Sequence, residues 1–239
     1  RVQVGASESL HVFETSASLS TAIVSVAVGD LEVVDGGAVP PRALRDKPIP
    51  SRAFTRKGHG SEVQSMLEAT APLILSMESW FGQAYPYKKL DLIAVPDFEF
   101  GALENAGGIF FRETLLLLDA RSATLNEKKR AAEVICHELA HMWYGDLVTM
   151  AWWDDLWLNE AFATWMAYEI VADWQPEWRI WLEFIHRRES ALEVDALRSS
   201  PPIAPPIRTA AAAHDNFAAT HHPKRARGPR QLDRNRGPT

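Results

Sequence analysis

Residues 137–165 read HELAHMWYGDLVTMAWWDDLWLNEAFATW. Two histidines, His137 and His141, stand four apart with Glu138 beside the first, and Glu160 follows after a gap of 18 residues. On a helix, positions four apart are offset by only ~40° and one turn, so the two imidazoles face the same way. So placed, they can meet one Zn²⁺ at ~2.0–2.1 Å. Glu138 is rotated by ~100° from His137, too far round to join them comfortably, but it can reach a water on the metal. A catalytic zinc takes three protein ligands and keeps one open position. Glu160 is the natural third ligand, because its helix can fold back after the turn near Gly145. Zinc would bring the water's pKa toward ~7, and Glu138 would take its proton. The expectation is one zinc per chain. Paired histidines on a helix are otherwise ordinary surface or core residues; the helical setting and the carboxylate on a second helix separate this case from those. Cys136 points about 100° away from His137, which suits a small buried apolar role. His11, His59, His186, His214, His221 and His222 show no ligand spacing.

Outward from this stretch, three helices are expected: about 126–144 with Gly145 past its end, about 155–172, and one opening at Pro176 and running to about 196. Eight of the nine tryptophans fall between 143 and 181, a spacing that points to packing between helices. Upstream, 61–82 reads as a helix with Ser61 as N-cap, Gly82 at its stop and Pro72 set to kink or divide it. KLDLIAV (89–95) reads as a strand. Residues 100–119 alternate extended runs with glycines, as an edge strand and turn would. The runs AIVSVAV (22–28) and LEVV (31–34), parted by Gly29-Asp30, predict a hairpin.

The composition is that of an ordinary globular protein: 239 residues, 46% hydrophobic and 23% charged. No apolar run reaches the ~18–20 residues needed to span a bilayer. One cysteine rules out an internal disulfide framework and accords with a reducing compartment such as the cytoplasm. The net charge of −6 hides an asymmetry: residues 221–239 carry Lys224, Arg225, Arg227, Arg230, Arg234 and Arg236 against Asp233 alone. No nucleic-acid arm is expected from this, because the stretch carries no aromatic residue and no binding module. The chain opens on Arg1 rather than Met, as a cut or processed end would.

With these residues in view, the sequence resembles the zinc aminopeptidases of the aminopeptidase N family, within the gluzincin peptidases. The resemblance rests on HELAH, on the 18-residue gap to Glu160 in WLNEAFATW, and on GALEN at 101–105, and it spans about residues 10–207. GALEN corresponds to the family's Gly-x-Met-Glu-Asn motif, with Leu103 for the usual Met. By this resemblance Glu104 binds the free α-amino group of a peptide, while Gly101, Ala102 and Asn105 belong to the strand that pairs with its backbone. The implied reaction is release of N-terminal amino acids from peptides with a free N-terminus, with Glu138 as catalytic base. The residues alone carry the reading only to a zinc hydrolase; a gluzincin endopeptidase and a non-catalytic zinc-binding pseudoenzyme stay open beside the aminopeptidase.

The implied fold is α+β: the end of a β-rich N-terminal domain over 1–58, then a thermolysin-like catalytic domain over 59–207, truncated. A divergent tail, 208–239, completes the division. Its Arg/Pro/Gly/Ala bias suits an out-of-phase reading frame or a natural disordered segment. Family members continue toward a Tyr-x-Lys-Gly motif whose tyrosine hydrogen-bonds the developing oxyanion. Here no tyrosine follows Tyr168. One oxyanion donor is typically worth ~10²–10³ in rate, so this chain by itself is expected to be weakly active or inactive.

Overall fold

In the computed structural model, which describes residues 2–3, 9–200, 202–209 and 211–213, strands β1 (Val2–Gln3) and β2 (Ser9–Leu10) form a small antiparallel pair. The main sheet follows. It holds β3 (Leu31–Val39), β4 (Ile49–Arg56), β5 (Leu90–Val95), β6 (Ala102–Leu103) and β7 (Gly108–Arg112), in the spatial order β3-β4-β5-β7-β6. Strands β4, β5 and β7 run parallel, while β3 and β6 pair antiparallel at the two edges. The central strand β5 reads LDLIAV and is buried over its first five residues, as a parallel strand covered on both faces should be. Its one acid, Asp91, accepts from Arg52 Nε at 2.9 Å and Nη2 at 3.0 Å. Strand β4 instead alternates buried and open positions.

The register of β3 on β4 shifts between Asp35 and Ala38, at Gly36-Gly37. Gly37 has φ 73°, and a Cβ on Gly36 would lie 2.5 Å from Leu67 Cγ. The two glycines thus make the bulge and let α1 (Gln64–Phe81) come down onto the sheet. After α2 (Glu113–Leu116), α3 (Leu125–His141) begins with a capping box: Thr124 and Glu127 each satisfy the other's backbone N–H. Such a cap contributes about 1 kcal/mol. Helix α4 (Leu156–Trp174) packs on α3 and buries residues around most of its circumference, including Ala163, Met166, Ala167 and Tyr168. Helix α5 (Trp181–Asp195) is tied back to α3 by Arg187, whose Nη1 and Nη2 meet Glu133 at 2.5 and 2.7 Å. Trp143 and Trp165 are core residues, and Trp174, Trp178 and Trp181 pack against the core, as the spacing predicts; Trp152 is instead 49% exposed.

Several local expectations are corrected. Residues 22–28 do not form a strand: Thr21–Ile23 is a 3₁₀ turn, and Val24, Val26 and Val28 stand exposed. A β-branched run is not a strand until an edge accepts it. The partner of β3 is β4, reached across the proline-rich connection, so no hairpin turns at Gly29-Asp30. Ser61 does not cap α1; it lies in a 3₁₀ turn, Gly60–Glu62, and Val63 precedes the helix without a side-chain cap. Helix α1 runs unbroken through Pro72, since the adjoining turns bury Leu67, Leu73, Ile74 and Met77 and outweigh one missing N–H. Pro176 opens a 3₁₀ turn ending at Trp178, and α5 starts only after Arg179 (φ 48°). Leu115 and Leu116 are helical rather than extended.

The fold is α+β. The boundary expected at 58/59 falls between β4 and α1, and β4 shares its sheet with β5 from beyond that point. Of the tail set apart at 208–239, only 208–209 and 211–213 are among the described residues. Among the described residues, no helix is long and apolar enough to cross a membrane.

Candidate metal centre

The last turn of α3 brings His137 and His141 to one face, with their Nε2 atoms 3.0 Å apart. Packing α4 on that face delivers Glu160, whose Oε2 lies 3.3 Å from His137 Nε2 and whose Oε1 lies 4.0 Å from His141 Nε2. The three donor atoms fall within 4.8 Å of one another. Ligands at ~2.0–2.1 Å from a tetrahedral ion stand about 3.3 Å apart, so two imidazole nitrogens and a carboxylate so spaced fit one divalent cation.

Outer partners fix the rings. His141 Nδ1 lies 3.1 Å from the Tyr144 carbonyl, which can only accept; the proton therefore sits on Nδ1 and leaves Nε2 its lone pair. His137 Nδ1 lies 3.3 Å from Thr164 Oγ1, one helical turn beyond Glu160 on the same face of α4. Thr164 and the Tyr144 carbonyl escape the sequence reading, although the i, i+4 spacing of Glu160 and Thr164 is a signal that could have found the former.

Glu104 and Glu138 join His141 in a second group of converging donors, again within 4.8 Å. Glu138 is 5% exposed, and burial, then the charges of Glu104 and Glu160, push its carboxyl well above the usual range. For His141, burial opposes the charged form, yet Glu104 and Glu160 prevail and the net shift is upward. Glu104 stands at the end of β6, the edge strand that pairs Ala102 with Phe111 and Leu103 with Phe110. The Gly101 carbonyl accepts from Arg112 N at 2.9 Å. Asn105 faces elsewhere: it is 3% exposed, and its Nδ2 donates to the Ile23 carbonyl at 3.1 Å. Its Nδ2 anchors the turn after Glu104, and its Oδ1 is buried with no hydrogen-bond partner.

Residues 65–238 match the Peptidase family M1 domain. The chain belongs to peptidase family M1. The match takes in the residues from 208 onward that the sequence reading set apart. Among curated relatives, Aminopeptidase 2 of Candida albicans is 39% identical over 213 residues, which is 89% of this chain and 22% of the relative. Puromycin-sensitive aminopeptidase of Caenorhabditis elegans is 42% identical over 192 residues, 80% of this chain and 20% of its own length. Aminopeptidase M1 of Arabidopsis thaliana is 36% identical over 214 residues, 90% of this chain and 24% of its own length. The chain thus spans about a fifth to a quarter of the length of these relatives.

In this M1 site a further acid, Asp146, is buried behind His141, and no sequence pattern marked it. Tyr87 donates its hydroxyl to Asp146 Oδ2 at 3.2 Å, and Oδ1 is buried with no hydrogen-bond partner. Burial, then Glu104, raise the Asp146 carboxyl from 3.8 to about 8. The protonated form is thus the one the fold favours. Its contribution to stability is complete below pH 3.8 and is lost as pH rises through about 8. Asp146→Asn keeps the shape and cannot ionise. In the metal-free chain its melting temperature should exceed that of the unsubstituted chain above pH 8, the gap closing toward about pH 4. A difference independent of pH would exclude this origin.

Proposed function

We propose that this chain carries the catalytic centre of a zinc aminopeptidase with a thermolysin-like catalytic domain, acting on peptides with a free N-terminus. The observation that carries the reading is the convergence of His137, His141 and Glu160 beside Glu104 and Glu138. His137, His141 and Glu160 would hold one zinc. When bound, zinc would supply Lewis acidity, acidifying a water toward ~7 and polarising the scissile carbonyl.

The chain's own residues do the rest. Glu138 takes the proton of the attacking water and passes it to the leaving amine. Glu104, fixed at the end of the edge strand β6, accepts the α-ammonium of the substrate through charge-assisted hydrogen bonds. That anchor places the first peptide bond, and no later one, beside Glu138, which makes the reaction an exopeptidase cleavage. The unpaired side of β6 offers Ala102 backbone groups to the peptide, while the neighbouring Gly101 carbonyl holds the strand to Arg112 of β7. Turnover by these residues alone should be weak. Of the four tyrosines, Tyr85 and Tyr168 are buried and the Tyr87 hydroxyl is engaged by Asp146, so these three are not free to serve as an oxyanion donor; Tyr144 is half-buried and packs on Phe162 with ring centroids 4.4 Å apart.

The test compares a peptide bearing a free N-terminus with its N-acetylated form in the zinc-loaded chain. The free amine should be bound and cleaved in strong preference, with release of the N-terminal residue. Equal handling of the two peptides would sink the exopeptidase reading and favour an endopeptidase.

A further inference from the structure

We propose that Asn159 is a positioning residue that couples the amine-anchoring carboxylate of Glu104 to the metal-ligating carboxylate of Glu160; this rests on the roles proposed above for those two glutamates. Asn159 is 5% exposed and immediately precedes Glu160 on α4. A step of one residue turns the side chain by ~100° about the helix axis, so it looks toward the end of β6 while Glu160 looks toward α3. Its Nδ2 lies 3.5 Å from Glu104 Oε1 and 3.4 Å from Glu160 Oε1. One amide thus directs its two N–H groups at two carboxylates held by different elements.

The chemistry of the pocket explains why an amide serves here. Glu104, Glu138 and Glu160 place three carboxylates in one buried region, where like charges repel. An arginine or lysine between them would offset the repulsion, but it would also occupy the place meant for a substrate ammonium. A carboxylate would add to the repulsion. A neutral amide with two donors meets both acids and leaves their charge available. It also divides the oxygens of Glu160, with Oε1 toward Asn159 and Oε2 toward His137. The space for it is provided by Gly145. A Cβ there would lie 2.7 Å from Asn159 Oδ1 and 3.1 Å from His141 Nδ1.

The experiment uses the full chain with Asn159→Ala and with Asn159→Leu, which keeps the branched shape and adds no charge or donor. Two quantities are read: the zinc dissociation constant by chelator competition, and the affinity ratio of leucyl-alanine to N-acetyl-leucyl-alanine in the zinc-loaded protein. Loss of an outer partner costs ~10–100-fold in metal affinity, so zinc binding should weaken about tenfold in both variants. The free-amine preference should fall by a similar factor. A purely structural role would lower the melting temperature and leave that ratio intact. Unchanged zinc affinity and an unchanged ratio in the leucine variant, which keeps the branched shape, would overturn the proposal even if the alanine variant fails to fold. Absence of any preference in the unsubstituted chain would instead overturn the role given to Glu104, and the coupling with it.

Discussion

A chain carrying His141→Ala is expected to lose the zinc binding proposed for His137, His141 and Glu160. His141 is 1% exposed, its Nδ1 is committed to the Tyr144 carbonyl, and its Nε2 faces both His137 and Glu160. Removing it deletes one of three donors. The cost should exceed the ~10–100-fold that follows from losing an outer partner alone. Stability gives an independent readout. Zinc at about 1,000 times its dissociation constant stabilises a native state by ~4 kcal/mol. At roughly 2–4 °C per kcal/mol for a chain of this size, that is a shift on the order of 10 °C in melting temperature. The shift should vanish in His141→Ala and persist in His186→Ala, whose ring is exposed on α5 and outside the converging donor groups. A His141→Ala chain that keeps full zinc content would remove the metal centre from consideration.

The second large effect separates chemistry from binding. Glu138→Gln should leave zinc content unchanged while lowering whatever hydrolysis the chain supports by ~10²–10⁴-fold, the usual contribution of a positioned acid–base group. Gln has nearly the same shape and cannot accept the proton. Its effect on the fold should have the opposite sign. Burial and the neighbouring acids raise the Glu138 carboxyl well above 4.5, so the metal-free protein loses stability as pH rises and the side chain is forced to ionise. A neutral amide escapes that cost. Metal-free Glu138→Gln should therefore melt no lower than the unsubstituted chain at neutral pH, and higher at alkaline pH. Activity that survives the substitution would assign the base elsewhere.

Legibility followed the range of the physics involved. The i, i+4 spacing of His137 and His141 is local helical geometry, and both lie on α3. Gly82 stops α1 at Phe81 with φ 62°, as a left-handed C-cap should. The run KLDLIAV marked a strand in the same way, and β5 spans Leu90–Val95. Residues 22–28 failed for the complementary reason. Their β-branched pattern was real, but pairing depends on an edge the local sequence does not supply. Pro72 shows packing overriding a local penalty, with Leu73 and Ile74 fully buried around it.

The residues alone carried the helices around the HELAH stretch and the identity of the side chains with the chemistry of metal ligands and proton carriers, whereas the α+β class came with the family resemblance. Those properties reside in residue type and in spacing along one helix. Which groups meet across elements depends on how those elements pack. Packing turned Asn105 toward Ile23, drew Thr164 to His137, buried Asp146 behind His141, and set the Asn159 amide between Glu104 and Glu160. Each of these contacts joins separate elements or a turn whose path depends on packing. Burial then shifted the acids in ways no spacing encodes, because desolvation is a property of the assembled core.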